Sequence, residues 1–269
     1  MHVLAVALSA LVLPGFHAAA QEPSGGVVLS GTFPGTVRPG DVYLPPGYSP
    51  SHRYPVVYLL HGLPGDPSEY IHGTRLGEFA DGAISNGTVR PFIAIVPAAG
   101  AAARYNGEWA GPWETALVDR IVPWVDKHLS TIAAPSGRII AGLSAGGYGA
   151  VNIAFRHPGL FGTVESWSGY FRPLNDGPFL HADEATLNAN NPTKLARSEA
   201  AVLRRSKMRF FLSTGPVHSH LFTPQETIDF AKELEGLRIP VRSRVFSSMK
   251  DQWRYQLDAG LTWALSKKL

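Results

Sequence analysis

The sequence predicts an α/β fold with a mostly parallel central sheet and helices on both faces. Three observations carry this. Short β-type runs alternate with helical segments from residue 54 to the C-terminus, the pattern of strands joined by crossover helices. The run at residues 54–60, YPVVYLL, is almost wholly apolar, as expected of a strand covered on both faces rather than one. The chain has 269 residues, 45% hydrophobic and 17% charged, enough to bury one large core. One domain is expected over residues 21–269.

Residues 26–33 and 37–44 are β-type runs bounded by Pro34-Gly35, Pro39-Gly40 and Pro45-Pro46-Gly47, which suggests a leading antiparallel pair. The strand at 54–60 ends in His61-Gly62-Leu63-Pro64-Gly65, and loops at such strand ends are where function collects. A helix is expected over 69–86 and a strand over 92–97. A second helix is expected over 113–129, where Leu117, Ile121, Val122, Trp124 and Val125 recur near helical spacing. Glu114 stands in its first turn, Lys127-His128 in its last, and Pro123 should kink it.

Residues 138–156, RIIAGLSAGGYGAVNIAFR, read as strand, sharp turn and helix in immediate succession. Gly142-Leu143-Ser144-Ala145-Gly146 fits G-x-S-x-G, in which a serine stands on a strained turn with glycines leaving room for neighbouring chain. The helix that follows points its free amides and positive dipole end at the serine, where an oxyanion develops in acyl transfer. Ser144 is the candidate nucleophile.

Beyond this corner the reading gives a strand at 163–167, then an irregular stretch over 170–206 taken as a lid. Strands at 209–213 and 241–246 and helices at 223–237 and 253–268 follow. In the lid, Asp183-Glu184 reads as a helix cap. Trp109 reads as core filler, and Glu114 as a helix first-turn carboxylate.

At the N-terminus, residues 3–13 are almost wholly apolar, and Ala18-Ala19-Ala20 before Gln21 offers a cleavage site. Residues 1–20 are thus expected to be a signal peptide. The absence of Lys or Arg ahead of the apolar run leaves a signal anchor, and membrane proximity through it, as the alternative. A secreted or extracytoplasmic location follows. A net charge of +3 with scattered basic residues argues against nucleic-acid partners. With no cysteine there are no disulfides and no thiolate metal sites.

Three segments together resemble the esterase D group of α/β-hydrolases, which includes formylglutathione hydrolases, feruloyl esterases and secreted mycolyltransferases. They are Val42-Tyr43-Leu44-Pro45-Pro46-Gly47-Tyr48, Tyr58-Leu59-Leu60-His61-Gly62, and Gly142 through Ala150. The resemblance implies an α/β-hydrolase fold, Ser144 as nucleophile, the amides of Leu63 and Ala145 as oxyanion hole, His61 as a structural residue, and no cofactor.

The family pattern also has an acid after the seventh strand of its fold and a histidine after the eighth, ahead of a Trp-Arg pair. Here Trp253-Arg254 is present, but residues 246–252 read FSSMKDQ, without histidine. Where the acid is expected, residues 213–220 read STGPVHSH. Serine attack needs a base within hydrogen-bond reach. The two loops are therefore expected to have exchanged roles, with His218 or His220 as base and Asp251 orienting it, since a triad is defined by geometry rather than chain order. Asp176 is the reserve acid. His218 and His220 could also ligate zinc, but spacing supplies no third ligand, so no metal is expected.

Two functions follow. The first is a serine-dependent hydrolase or acyltransferase acting on a small-molecule, lipid or glycan ester. The second, favoured by the missing histidine, is an inactive relative that binds a lipid, glycan or protein in the old cleft.

Overall fold

A computed structural model describes residues 13–21, 25–100, 108–216, 223–247 and 252–266. They form one nine-stranded sheet in the order β1-β2-β3-β5-β4-β6-β7-β8-β9. Strands β1 (Phe16–Gln21), β2 (Val27–Gly31) and β3 (Gly40–Leu44) pair antiparallel, and β3 joins β5 (Ile93–Val96) in the same sense. From β5 onward the sheet is parallel, through β4 (Val56–Leu60), β6 (Arg138–Leu143), β7 (Thr163–Trp167), β8 (Arg209–Thr214) and β9 (Val241–Val245). This is the predicted mostly parallel sheet. Strands β4 and β5 are buried at every residue, as their unbroken apolar runs require, and β7 is buried throughout although it is TVESW.

The helices are α1 (Leu76–Ser85), α2 (Pro112–Thr115), α3 (Val122–His128), α4 (Ala145–Arg156), α5 (Glu184–Ala189), α6 (Pro192–Ser198), α7 (Ala200–Ser206), α8 (Pro224–Gly236) and α9 (Gln252–Leu265). None among the described residues is long and apolar enough to cross a membrane. A π-helical stretch, Ala116–Ile121, joins α2 to α3, and there the Val122 amide donates to the Leu117 carbonyl. The expected effect of Pro123 thus takes the form of a widened turn, since proline has no amide to continue the regular ladder.

One expectation is corrected in part. The stretch 170–206 is irregular only as far as residue 183, beyond which it holds α5, α6 and α7, whose caps include the Asp183 carboxylate on the Thr186 amide (2.7 Å) and Asn191 on the Lys194 amide (3.1 Å). It packs over α4, where the Tyr148 hydroxyl donates to the Asn190 carbonyl and Asn152 donates to Asn190. Residues 16–21, which contain the expected cleavage site, are strand β1, five of them in register with β2. Phe16 packs edge-on to Phe33 and against Trp124, and Leu13 is buried in the core. Cutting after Ala20 would remove this strand from the sheet.

A charged residue type sits in the middle of β7. Glu165 is fully buried between Ala141 of β6 and Phe211 of β8, with one carboxyl oxygen accepting from the Trp167 indole (3.0 Å). Burial pushes its pKa up to about 8. In the unfolded chain this acid ionises near 4.5, whereas the folded protein holds its proton to about 8. Across that window the folded state binds more protons, so stability falls as pH rises, by on the order of a few kcal/mol for this group. Glu165→Gln keeps the shape and removes the titration. Denaturant unfolding at pH 5 and pH 8 should show the variant losing less stability than the wild type between the two; an equal loss would contradict the assignment.

Candidate active site

The central feature is the corner between β6 and α4. Ser144 adopts φ 49° and ψ −115°, a conformation costly for any residue with a side chain, and its amide donates to the Trp167 carbonyl of β7 (2.9 Å). Its side chain makes no capping bond to the helix, so the hydroxyl is left for other work. Ala145 is the first residue of α4, where helix geometry gives the amide no intrahelical acceptor. That amide and the positive end of α4 stand beside the serine. The strain is supported by close packing: a methyl group on Gly142 would lie 2.2 Å from the Gly146 carbonyl carbon.

The loop after β4 lies against this corner. A Cβ on Gly62 would sit 3.5 Å from that of Ser144. Leu63, half-buried, follows directly in that loop. His61 is fully buried: its Nδ1 bonds the Gly62 carbonyl (2.9 Å) and its Nε2 accepts from the Ala99 amide (3.0 Å), which fixes the neutral tautomer. Burial lowers its pKa to about 4. The His61 carbonyl in turn accepts from the Trp109 indole (2.9 Å). His61 and Trp109 are therefore structural, as expected.

Sequence reasoning missed Glu69. Its carboxylate accepts from the Gly62 amide (2.9 Å) and lies where a side chain at Gly65 would go, 2.0 Å from the Cβ that residue lacks. Burial raises its pKa, opposed by the Gly62 amide. Glu69 thus holds the Gly62 end of the loop that carries Leu63 by a hydrogen bond and packs against its Gly65 end. The Gly62–Glu69 pairing spans seven residues and leaves no local periodic signal, though a glutamate just past a Pro-Gly turn is a visible cue.

A cavity of about 160 Å³ opens at Ser144, lined also by Ser168, Gly169, Thr214, Pro216, Thr223 and Trp253. Beneath it a buried glutamine ties two strand ends together. Gln256 accepts from the Ser213 hydroxyl (2.8 Å) and donates to the Ser168 hydroxyl (2.9 Å). Ser168 itself has φ 52°, held by its amide bond to the Ser213 carbonyl (2.7 Å). Gln256 was not read from the sequence; its position three residues after Trp253, on the same helix face, is the only hint.

His218, His220 and Asp251 lie outside the described residues. The flanking described residues, Thr214 and Pro216 before the histidines and Trp253 after the aspartate, all line the Ser144 cavity. Asp176, the reserve acid, does not: it pairs with Glu108, itself buried and bonded to the Tyr170 hydroxyl. Burial pushes Glu108 up to about 8, and the neighbouring Asp176 carboxylate adds to the rise. Glu114 is also elsewhere, bridging Arg156 (2.8 Å) and His157 (2.7 Å). No residue from 170–206 is among the described residues that line the cavity.

Residues 32–263 match the family model described as "Putative esterase". The chain belongs to this esterase family. It is 30% identical over 181 residues to an endo-1,4-beta-xylanase/feruloyl esterase of Xylanibacter ruminicola, covering 61% of this chain and 24% of that protein. It is 36% identical over 140 residues to Esterase Rv1288 of Mycobacterium tuberculosis, covering 49% and 29%. The MPT51/MPB51 antigen of Mycobacterium bovis is 30% identical over 182 residues, covering 62% and 58%. The chain thus spans between about a quarter and three fifths of the length of these curated relatives. Among solved structures, a ferulic acid esterase superposes with a TM-score of 0.78 at 23% identity, over 90% of this chain and 98% of that one. An S-formylglutathione hydrolase of Staphylococcus aureus gives 0.68 at 18%, over 89% and 98%. These likenesses establish the α/β-hydrolase fold.

Proposed function

We propose that this member of the esterase family hydrolyses carboxylic esters through an acyl-enzyme on Ser144. One observation carries the reading: a serine held at φ 49° beside the helix N-terminus and the 61–65 loop. An inert site has no need of that strain. Ser144 Oγ attacks the ester carbonyl, the Leu63 and Ala145 amides receive the oxyanion, and a histidine takes the serine proton and returns it to the leaving alcohol. Water, or an acceptor alcohol, then releases the acyl group. His218 or His220 is the base and Asp251 its orienting carboxylate, a proposal that rests on the sequence alone.

The cavity of about 160 Å³ favours a short or single-ring acyl group, since a cavity of roughly 150 Å³ accommodates benzene. Names of relatives that include feruloyl esterase point the same way. Export is proposed from the apolar run at 3–13.

Labelling by a fluorophosphonate probe tests the reading, with Ser144→Ala, His218→Ala, His220→Ala and Asp251→Ala alongside. A second reading, a binding protein built on the same fold, draws on the missing histidine in residues 246–252. It gains if the folded wild type takes no label.

Glu69 provides a further check. Glu69→Ala leaves the Gly62 amide without its acceptor and frees the Leu63 loop, and should slow labelling by roughly tenfold to a hundredfold, the effect of weakening one oxyanion donor by about 1.5–3 kcal/mol. Glu69→Gln retains an acceptor and should recover part of the rate. Equal rates in all three proteins would remove Glu69 from the machinery.

A further inference from the structure

Strand β9 ends the sheet, and its outer edge pairs with no other strand among the described residues. Helix α9 packs on β7 and β8. Between α9 and β9 lies a groove of about 650 Å³ lined by Arg242, Arg244 and Phe246 on the strand side and by Tyr255, Asp258 and Trp263 on the helix side. The groove is separate from the Ser144 cavity, and no residue lines both.

Its chemistry is selective. Arg242 and Arg244 stand two residues apart on one face of β9, both exposed, and neither forms an ion pair among the described residues. The Arg244 guanidinium stacks 4.4 Å from the Phe246 ring centroid, which orients its donors at little further entropic cost. Tyr255 is 50% exposed. Asp258 lines the groove as a half-buried carboxylate. A ligand that fits must offer carboxylates to the arginines, a flat apolar face to the aromatic rings and a hydroxyl donor to Asp258.

A second copy paired edge to edge about Ser243 does not fit. Val241-Arg242-Ser243-Arg244-Val245 is a palindrome, so antiparallel pairing of two β9 edges about Ser243 would set Arg242 directly opposite Arg244. Like charges so placed are destabilising, and charged edge strands resist this pairing.

We propose that the groove binds an oligosaccharide bearing uronic acids. The sugar ring supplies the apolar face, its hydroxyls the donors, and its carboxylate the bidentate acceptor that arginine prefers. Tyr255, which lines this groove, and Trp253, which lines the Ser144 cavity, share the first turn of α9 and project to different sides of it.

The test is calorimetric titration of the full chain with oligogalacturonate, and with neutral xylo-oligosaccharide and oligoglutamate of equal length. Saturable binding of oligogalacturonate alone is expected, weakened by salt. Arg242→Gln/Arg244→Gln should weaken it by about tenfold or more, the loss of at least one charge-assisted bidentate contact. Tyr255→Ala should weaken it as well. No saturable binding, wild-type binding by the double-arginine variant, or equal binding of oligoglutamate or of the neutral sugar would each overturn the proposal. Ser144→Ala should bind as the wild type does, so this result stands or falls apart from the esterase reading.

Discussion

Ser144→Ala should abolish fluorophosphonate labelling and reduce hydrolysis of p-nitrophenyl acetate by about a thousandfold or more, the scale on which removal of a covalent nucleophile acts. The protein should stay folded, because the hydroxyl caps nothing and alanine is no larger than serine. Strain at φ 49° is as costly for alanine as for serine, so unfolding should shift little. A clean separation of activity from stability is therefore expected at this position. The histidine variants sharpen it. If the base comes from the segment after Pro216, either His218→Ala or His220→Ala should approach the serine variant in severity, while the other stays near the wild type. Asp251→Ala should be milder, since it orients rather than transfers the proton. Full labelling in both histidine variants would eliminate the exchanged arrangement, and undiminished labelling in Ser144→Ala would eliminate the nucleophile itself.

The corner was legible because its signals are local. An apolar run, a glycine-spaced serine and a small-residue helix occupy consecutive residues, and the structure places β6 and α4 one residue either side of Ser144. Strand β4 and its His-Gly ending were legible for the same reason. What escaped depends on distant partners. Strand β1 carries no legible strand signal because its alanines are small; it is a strand through pairing with β2 and through Phe16 against Phe33 and Trp124. Helices α5, α6 and α7 have six or seven residues, too short to be stable alone; Ala196 and Leu203 fix α6 and α7 in the core, and the partly buried Leu187 packs α5 against it. Their cap at Asp183 was visible, but the apolar period was too short to read. Glu69 and Gln256 are polar groups whose roles exist only once the strand ends meet, and such roles leave no pattern in one chain.

Gly146→Ala should be the most damaging single methyl in the protein's active corner. Helix α4 is buried at every residue but its last, and Gly146 is where it approaches β4 most closely. An added Cβ would lie 1.8 Å from the Leu60 carbonyl oxygen, 2.5 Å from its carbon and 2.8 Å from the His61 carbonyl oxygen. All three are backbone atoms of the central strand and its functional loop, so no side chain can rotate away. Helix α4 must shift outward, and with it Ser144 and the Ala145 amide. Overpacking against backbone costs about 3 kcal/mol or more, which for a domain of this size lowers the melting temperature by roughly 6–12 °C. Gly82→Ala is the matched control. It lies mid-way along α1, exposed, with nothing within 4 Å of the new methyl, and helix propensity alone should stabilise it by about 0.5–1 kcal/mol. Thermal unfolding of the two variants should move in opposite directions from the wild type. A Gly146→Ala protein that melts with the wild type would mean that α4 does not sit against β4 at this distance, and the close approach that strains Ser144 would lose its cause.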